Sequence, residues 1–298
     1  MMCGKHLHSA IDLKRLADLG LALDNLQTLS VFNGGFVGFC DETESEVIEH
    51  VAGKEGRSAA RARAGRSAAE RPWGASGQAH HFRSAAVEAA FGAKFRILAR
   101  HYAALAFEDP NGLWVVAKSK PLGNRGPQIH FLVAFPLDNQ EPVRGWAFEQ
   151  IGPHAKLMSL KHTNFPDASI CAFMPNDNSW SISDGLTELF DHYSIWALKK
   201  LHRDLIGTWP GKQAGVCAFY RRSEFGSSEW CGCLSGKRYK DCHQGSDMLM
   251  DEAVARAEFG KIFRCNYEAR SAPASIMQAA ITRWRKIPPI NYLKYKIA

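Results

Sequence analysis

Apolar residues between positions 13 and 26 recur at spacings of three and four (Leu13, Leu16, Leu19, Leu23, Leu26), which predicts one apolar helical face near the N-terminus. Residues 52–80 break that pattern. They are rich in Ala, Arg, Gly and Ser, with almost no large apolar side chain before Trp73, and cannot bury enough surface to offset their ordering entropy. From Phe82 to Phe107 apolar positions again follow a helical period (Val87, Phe91, Phe95, Leu98, Tyr102, Leu105), until Pro110 and Gly112 stop it. Two β-rich runs come next, Leu113 to Lys118 and Gln128 to Phe135. Pro121, Gly123, Asn124 and Gly126 lie between them, which suits antiparallel strands joined by a loop. Arg144 to Gln150 predicts a third strand. Residues 184–205 place Leu186, Leu189, Phe190, Tyr193, Trp196, Ala197, Leu201 and Leu205 on a long helix that Gly207 and Pro210 close. Residues 247–269 and 274–287 read as helices on either side of Pro273. The order of helix, strands, irregular segment and helix predicts the α+β class.

Composition alters this picture little, and charge alters it more. Hydrophobic residues make up 46% and charged residues 22% of 298, ordinary for a globular protein, so wholesale disorder is excluded. The formal charge of +7 suggests a nucleic-acid partner. Residues 50–80 supply +4 of it and residues 283–296 supply +5, so the rest of the chain carries −2. The basicity therefore belongs to a linker and a tail. Nucleic acid is not the expected partner, although a basic arm at 50–80 would betray itself by affinity that falls steeply with salt. No run reaches the roughly 18 apolar residues a membrane helix needs, and Met1 to Ala10 lacks the apolar core of a secretory signal. Of eight cysteines, three fall within twelve residues (Cys231, Cys233, Cys242), which points to the reducing cytoplasm and to metal rather than disulfides. Cys3, Cys40, Cys217 and Cys265 have no ligand-spaced companions and read as buried or incidental thiols.

Cys171 ends the segment His162-Thr163-Asn164-Phe165-Pro166-Asp167-Ala168-Ser169-Ile170-Cys171, in a region without regular periodicity. An isolated cysteine between apolar residues is ordinarily a small buried hydrophobe. Here a loop can gather an imidazole, an amide and a carboxylate beside the thiol. The segment resembles the active site of the ubiquitin-conjugating-enzyme (UBC) superfamily, in which a His-Pro-Asn element precedes Asn/Asp-Gly-x-Ile/Leu-Cys. Phe135-Pro136, Glu141-Pro142-Val143-Arg144, Trp180 and Gly207-Thr208-Trp209-Pro210-Gly211 follow the same order of parts, over about residues 82–211. The bacterial branch, which includes conjugating proteins of cyclic-oligonucleotide anti-phage systems (CBASS), is the nearest in look. The resemblance implies that Cys171 carries an acyl group as a thioester, and that Asn164 donates a hydrogen bond to the oxyanion. For His162 it implies a structural hydrogen-bonder that holds the loop, with a general base as the alternative. Asp167 is expected to fix the turn before the cysteine. Thr163 stands where the eukaryotic motif has Pro, and Ala168 stands where Gly is usual. A turn that needs a left-handed residue would be strained by Ala168.

A second group of residues runs from Cys231 to His243. Cys231, Cys233, Cys242 and His243 offer three thiolates and one imidazole, which satisfy tetrahedral zinc with no open position and so predict a structural metal. A segment this small has no adequate apolar core of its own, and metal must furnish much of its folding free energy. The spacing and the filling Ser-Gly-Lys-x-Tyr-Lys-x-Cys-His resemble the SEC-C module of the bacterial translocation ATPase SecA and many other bacterial proteins, with Leu234 in place of the usual Gly. The resemblance implies a docking piece for a protein partner. Lys237, Arg238 and Lys240 suit acidic protein or RNA equally.

The expected organisation is a helical N-terminal segment (1–50), a linker (51–80), a UBC-like catalytic domain (81–212), a SEC-C zinc module (226–246) and a helical basic C-terminal extension (247–298). The two resemblances together imply a cytoplasmic transferase that takes a protein C-terminus onto Cys171 and passes it to an amine. The implied cargo is a cGAS-like nucleotidyltransferase or a ubiquitin-like protein. No Gly-rich nucleotide loop of the required kind follows a strand, so any ATP-dependent activation is expected from another chain, such as a separate activating enzyme, or by an unrecognised route. The alternative is a non-catalytic zinc-bearing adaptor for protein or ribosome-associated partners.

Overall fold

The computed structural model describes residues 28–31, 37–40, 81–122, 126–139, 141–158, 160–172, 180–211, 213–233, 235–263 and 270–293. The leucine-spaced stretch 13–26, the linker 51–80 and the last five residues lie outside them. Within the N-terminal segment, β1 (Thr28–Val31) and β2 (Val37–Cys40) form an antiparallel hairpin.

The centre of the molecule is a five-stranded antiparallel meander, β3 (Ala104–Asp109), β4 (Gly112–Lys118), β5 (His130–Pro136), β6 (Arg144–Gln150) and β7 (Lys156–Leu157), paired in chain order. Because successive side chains of a strand point to opposite faces, each central strand feeds two cores. Leu113, Val115, Ala117, Phe131, Val133, Phe135 and Ala147 enter one; Trp114, Val116, Leu132, Ala134, Trp146 and Phe148 enter the other.

Two helices cover the first face. The first, α1, runs as Ala85–Val87, widens into a π-helical turn at Glu88–Gly92 and returns to α-helix at Ala93–His101. The Ser84 hydroxyl caps it by accepting the Val87 N–H. The second, α2 (Leu186–Ile206), sends Leu186, Leu189, Phe190, Tyr193, Trp196 and Ala197 into the same core and ends on left-handed Gly207. The helix expected from Phe82 to Phe107 is therefore shorter, and residues 104–109 are strand β3. Small residues explain the difference: Ala104 and Ala106 alternate onto the first core, and every residue from Ala104 to Asp109 finds a partner in β4. Tyr102 leaves the helix in an extended conformation and its hydroxyl binds Asp191 of α2, which fixes the exit.

The second face is covered by the C-terminal part of the chain. Here α6 (Ala274–Ile281) lays Ile276, Ala279 and Ala280 on the sheet, with Trp284 and Ile290 beyond it. The helix expected to reach residue 287 stops at Ile281, because Arg283 and Trp284 turn into the left-handed region and bring the Trp284 indole edge-on to Phe148, 5.7 Å away. Between the sheet domain and α6 lie α3 (Ala218–Glu224), α4 (Gln244–Leu249) and α5 (Glu252–Phe263). The helix expected over 247–269 is broken at Asp251, whose carboxylate caps α5 by accepting the N–H groups of Ala253 and Val254. Of these three helices, α3 and α5 share a third core of Cys217, Phe219, Tyr220, Phe225, Cys231, Tyr239, Ala255 and Phe259. The architecture is α+β, and among the described residues no helix is long and apolar enough to cross a membrane.

Candidate functional site

The segment from His162 to Cys171 folds as a tight loop between β7 and α2. Thr163 and Ile170 pair as an antiparallel bridge at its neck, and the Ile170 N–H donates to the Gly145 carbonyl of β6 at 2.7 Å. Within the loop, Asp167 is buried and works as the expected turn former. Its carboxylate accepts the Ser169 N–H at 3.0 Å and the Ser169 hydroxyl at 2.8 Å, and pairs with Arg144 at 3.2 Å. Its carbonyl accepts the Trp146 indole N–H. His162 and Ala168 both take φ of 56°, in the left-handed region. Side chains at such positions cost roughly 1–2 kcal/mol each, so the surroundings must hold the loop in this shape.

Asn164 sits at the loop mouth. Its amide donates to the Ser169 hydroxyl at 3.2 Å and to the Ile170 carbonyl at 3.1 Å, which commits the amide to the two residues just before Cys171. Cys171 itself is half-buried. Two tyrosines, Tyr193 of α2 and Tyr220 of α3, lie within reach of the thiolate charge; burial foremost, and that charge among lesser causes, raises both phenol pKa values.

His162 is enclosed. Its N–H donates to Glu224 Oε2 at 2.7 Å, its carbonyl accepts the Trp196 indole N–H at 2.8 Å, and its ring lies 3.8 Å from the Trp209 ring. Burial first, then the cations Arg203, Arg270, Lys200 and Lys161, hold its pKa well below the usual histidine value. A neutral, stacked imidazole is a structural part of the loop. Burial also depresses His130, to about 4, and His202. A histidine whose folded-state pKa is lowered binds fewer protons when folded. Its contribution is full above the unfolded value of about 6.5 and is lost as pH falls below it. The urea midpoint is therefore expected to drop between about pH 7.5 and pH 5, and His162→Gln is expected to shrink that drop. An identical drop in wild type and variant would show that His162 is not the buried neutral group.

Sequence spacing did not disclose what grips this loop from outside. Glu224, fully buried on α3, pairs with Arg270. Arg270 also donates to the Thr163 carbonyl at 3.0 Å and lies 4.2 Å over the Phe165 ring. Phe165 packs edge-on to Phe259 of α5 at 4.9 Å, Lys161 donates to the Ser223 carbonyl at 2.8 Å, and Ser271 donates to the Pro166 carbonyl at 3.1 Å.

The second site forms where spacing placed it. One ligand atom from each of Cys231, Cys233, Cys242 and His243 lies within 4.8 Å of all the others. The Cys231 and Cys242 sulfurs are each 3.2 Å from His243 Nδ1, and the Cys233 and Cys242 sulfurs are 3.5 Å apart. Tetrahedral zinc, with Zn–S near 2.3 Å and Zn–N near 2.0–2.1 Å, needs ligand edges of about 3.5–3.8 Å, so the donor set and its size both fit. Gly232 sits between the first two ligands because there is no room for more: a Cβ there would lie 2.2 Å from the Gly215 nitrogen. Left-handed Gly236 turns the chain back, the Trp230–Arg238 bridge closes the knuckle, and the Cys231 N–H donates to the Lys237 carbonyl. Outside the ligands, the Tyr239 hydroxyl and the Arg221 guanidinium converge on buried Asp247, which ties the knuckle to α3.

No family model, curated protein or solved structure matches the chain.

Proposed function

We propose that the protein is a UBC-like acyl carrier and transferase with Cys171 as its nucleophile and a structural zinc in the Cys231–His243 knuckle. The observation that carries this reading is the loop itself: His162, Asn164 and Asp167, in the order of the UBC motif although His162 stands one residue nearer the cysteine than is common in eukaryotes, build a closed turn whose last residue before the thiol is pinned at both N–H and carbonyl. In the reaction, the Cys171 thiolate attacks the carbonyl carbon of an activated protein C-terminus. The C–S bond forms as the activating group leaves with the electron pair of its bond to that carbon. An acceptor amine then attacks the thioester; the C–N bond forms, the C–S bond breaks, the sulfur leaves as thiolate and the amine proton passes to solvent. Asn164 holds the Ile170 carbonyl in the resting loop and serves the oxyanion when it exchanges one of those hydrogen bonds. His162 serves by position rather than by titration. The cargo class implied by the resemblance, the C-terminus of a nucleotidyltransferase or a ubiquitin-like protein, and a CBASS setting go with this reading, as does a separate activating enzyme.

A C-terminal peptide thioester, which bypasses activation, is expected to leave a thiol-reversible mass increment on Cys171. Cys171→Ala should lower the yield by about a hundredfold or more. An adduct that is thiol-reversible and survives Cys171→Ala would sink the assignment. A second reading is favoured by one observation: Met248, Leu249 and Val254 stand exposed on α4 and α5, the two helices that follow the zinc ligands in the chain, as a docking surface of an adaptor would. That reading expects full biological activity from Cys171→Ser and none once zinc ligands are lost.

A further inference from the structure

We infer that the zinc-bearing unit is the clamp that holds the Cys171 loop in shape, with Glu224 as the positioning residue through which it acts. For its meaning in catalysis this rests on the acyl-carrier reading, but the clamp is argued from contacts alone. The loop cannot hold itself. Two of its residues with side chains, His162 and Ala168, occupy the left-handed region, and such residues persist only where neighbours over-determine them. Many of those neighbours come from the zinc side of the molecule. Glu224 accepts the His162 N–H and anchors Arg270, which in turn holds the Thr163 carbonyl and covers the Phe165 ring. Phe165 reaches out of the loop to pack against the same core that contains the zinc ligand Cys231, with Cys242 at its edge.

The link from metal to Glu224 is short. Cys231 and Cys242 bracket Tyr239, Tyr239 and Arg221 share Asp247, and Arg221 precedes Glu224 by less than one turn of α3. Phe225, next after Glu224, packs edge-on to Tyr239 at 5.6 Å. Without metal, the knuckle has little to fix Tyr239, and α3 loses the partner that sets its rotation. Glu224 then has no fixed address relative to His162. Tyr220 lies on the same helix within reach of the Cys171 charge, so a displaced α3 also changes the surroundings of the thiol directly.

The test uses the full chain with zinc bound. Iodoacetamide alkylation of Cys171 is followed by peptide mass mapping across pH, which separates it from the zinc cysteines. In Glu224→Ala the zinc content should stay at one per chain while the Cys171 rate changes by about tenfold or more and its pH midpoint moves. Glu224→Asp should restore part of the wild-type profile. Hydrogen exchange after chelation supplies an arm that needs no variant: amides 162–171 should lose protection together with residues 214–263, while β4 and β5 keep theirs. Loop amides that stay protected after zinc leaves would overturn the inference, as would a Glu224→Ala profile superposable on wild type. A loop that loosens on zinc loss in a protein that never takes an acyl group keeps the clamp and discards the carrier; the reverse result discards only the clamp.

Discussion

Trp284→Ala is expected to destabilise the protein by about 3–5 kcal/mol, the range for truncating a buried tryptophan. Trp284 is 4% exposed and lies edge-on against Phe148, in a core that also holds Trp114, Val116, Leu132, Ala134 and Trp146 from three strands. Its indole nitrogen has no hydrogen-bond partner among the described residues, so the loss is one of packing alone. The consequence extends beyond one side chain. Trp284 follows α6 through a left-handed turn in which its N–H donates to the Ala279 carbonyl, and the indole is what fastens that helix to the sheet. With it gone, α6 retains Ile276, Ala279 and Ala280 with the partly buried Met277, and only Ile276 of these is a large side chain fully buried against the sheet. A lowered urea midpoint and new binding of a hydrophobic dye to the bared sheet face are the expected observations. A loss below about 1 kcal/mol would mean that the C-terminal segment is an appendage and not the third layer of the fold.

That third layer was half legible. The unbroken apolar run Leu113 to Ala117 signals a strand buried on both faces, since a strand with one wet face alternates. What covers the second face was less legible, because residues 283–296 carry five cations and read as a solvated tail or a helix-packing strip. The structure separates the two characters by residue: Trp284 and Ile290 are buried while Arg283, Arg285 and Lys286 stay outside or partly outside. The strands β4, β5 and β6 fall within two residues of their expected bounds, because their β-branched and aromatic runs are bounded by turn residues. Strand β3 was hidden inside a helical period. Alanines at 103, 104 and 106 satisfy either geometry, and pairing with β4 decided it.

The same division runs through the loop. Spacing brought out His162, Asn164, Asp167 and Cys171, and Ala168 stands in the left-handed region. Glu224 and Arg270 escaped, since they meet the loop across 62 and 107 residues of chain, and a lone glutamate on a short helix carries no local signal. A buried carboxylate with a buried guanidinium is seen only when the chain is folded. The zinc ligands had the opposite character, because four donors within thirteen residues describe their own geometry.

Cys242→Ser is expected to release the metal and unfold residues 214–263 as a unit, while the five-stranded sheet survives. The argument is one of proportion. Structural zinc contributes on the order of 10–16 kcal/mol of apparent binding free energy to small zinc-finger units at neutral pH. A whole domain is typically stable by only about 5–15 kcal/mol. The third core holds eight buried residues, two of them cysteines and one an alanine, and cannot make up such a loss. Its knuckle has no slack either, as the contact between Gly232 and Gly215 leaves no space for even a methyl group. Cys242 is the telling ligand because its neighbour in sequence, His243, is also a ligand, so a serine there removes one donor and loosens the other. The checks are zinc per chain, expected to fall from one to near zero, and limited proteolysis, expected to open new cleavage sites between residues 214 and 263 ahead of any in β4 or β5. The sheet should persist because its two cores draw on α1, α2 and α6 and on none of the zinc-side helices. A variant that keeps its zinc, or one whose sheet is cut as early as its knuckle, would contradict this division of the molecule.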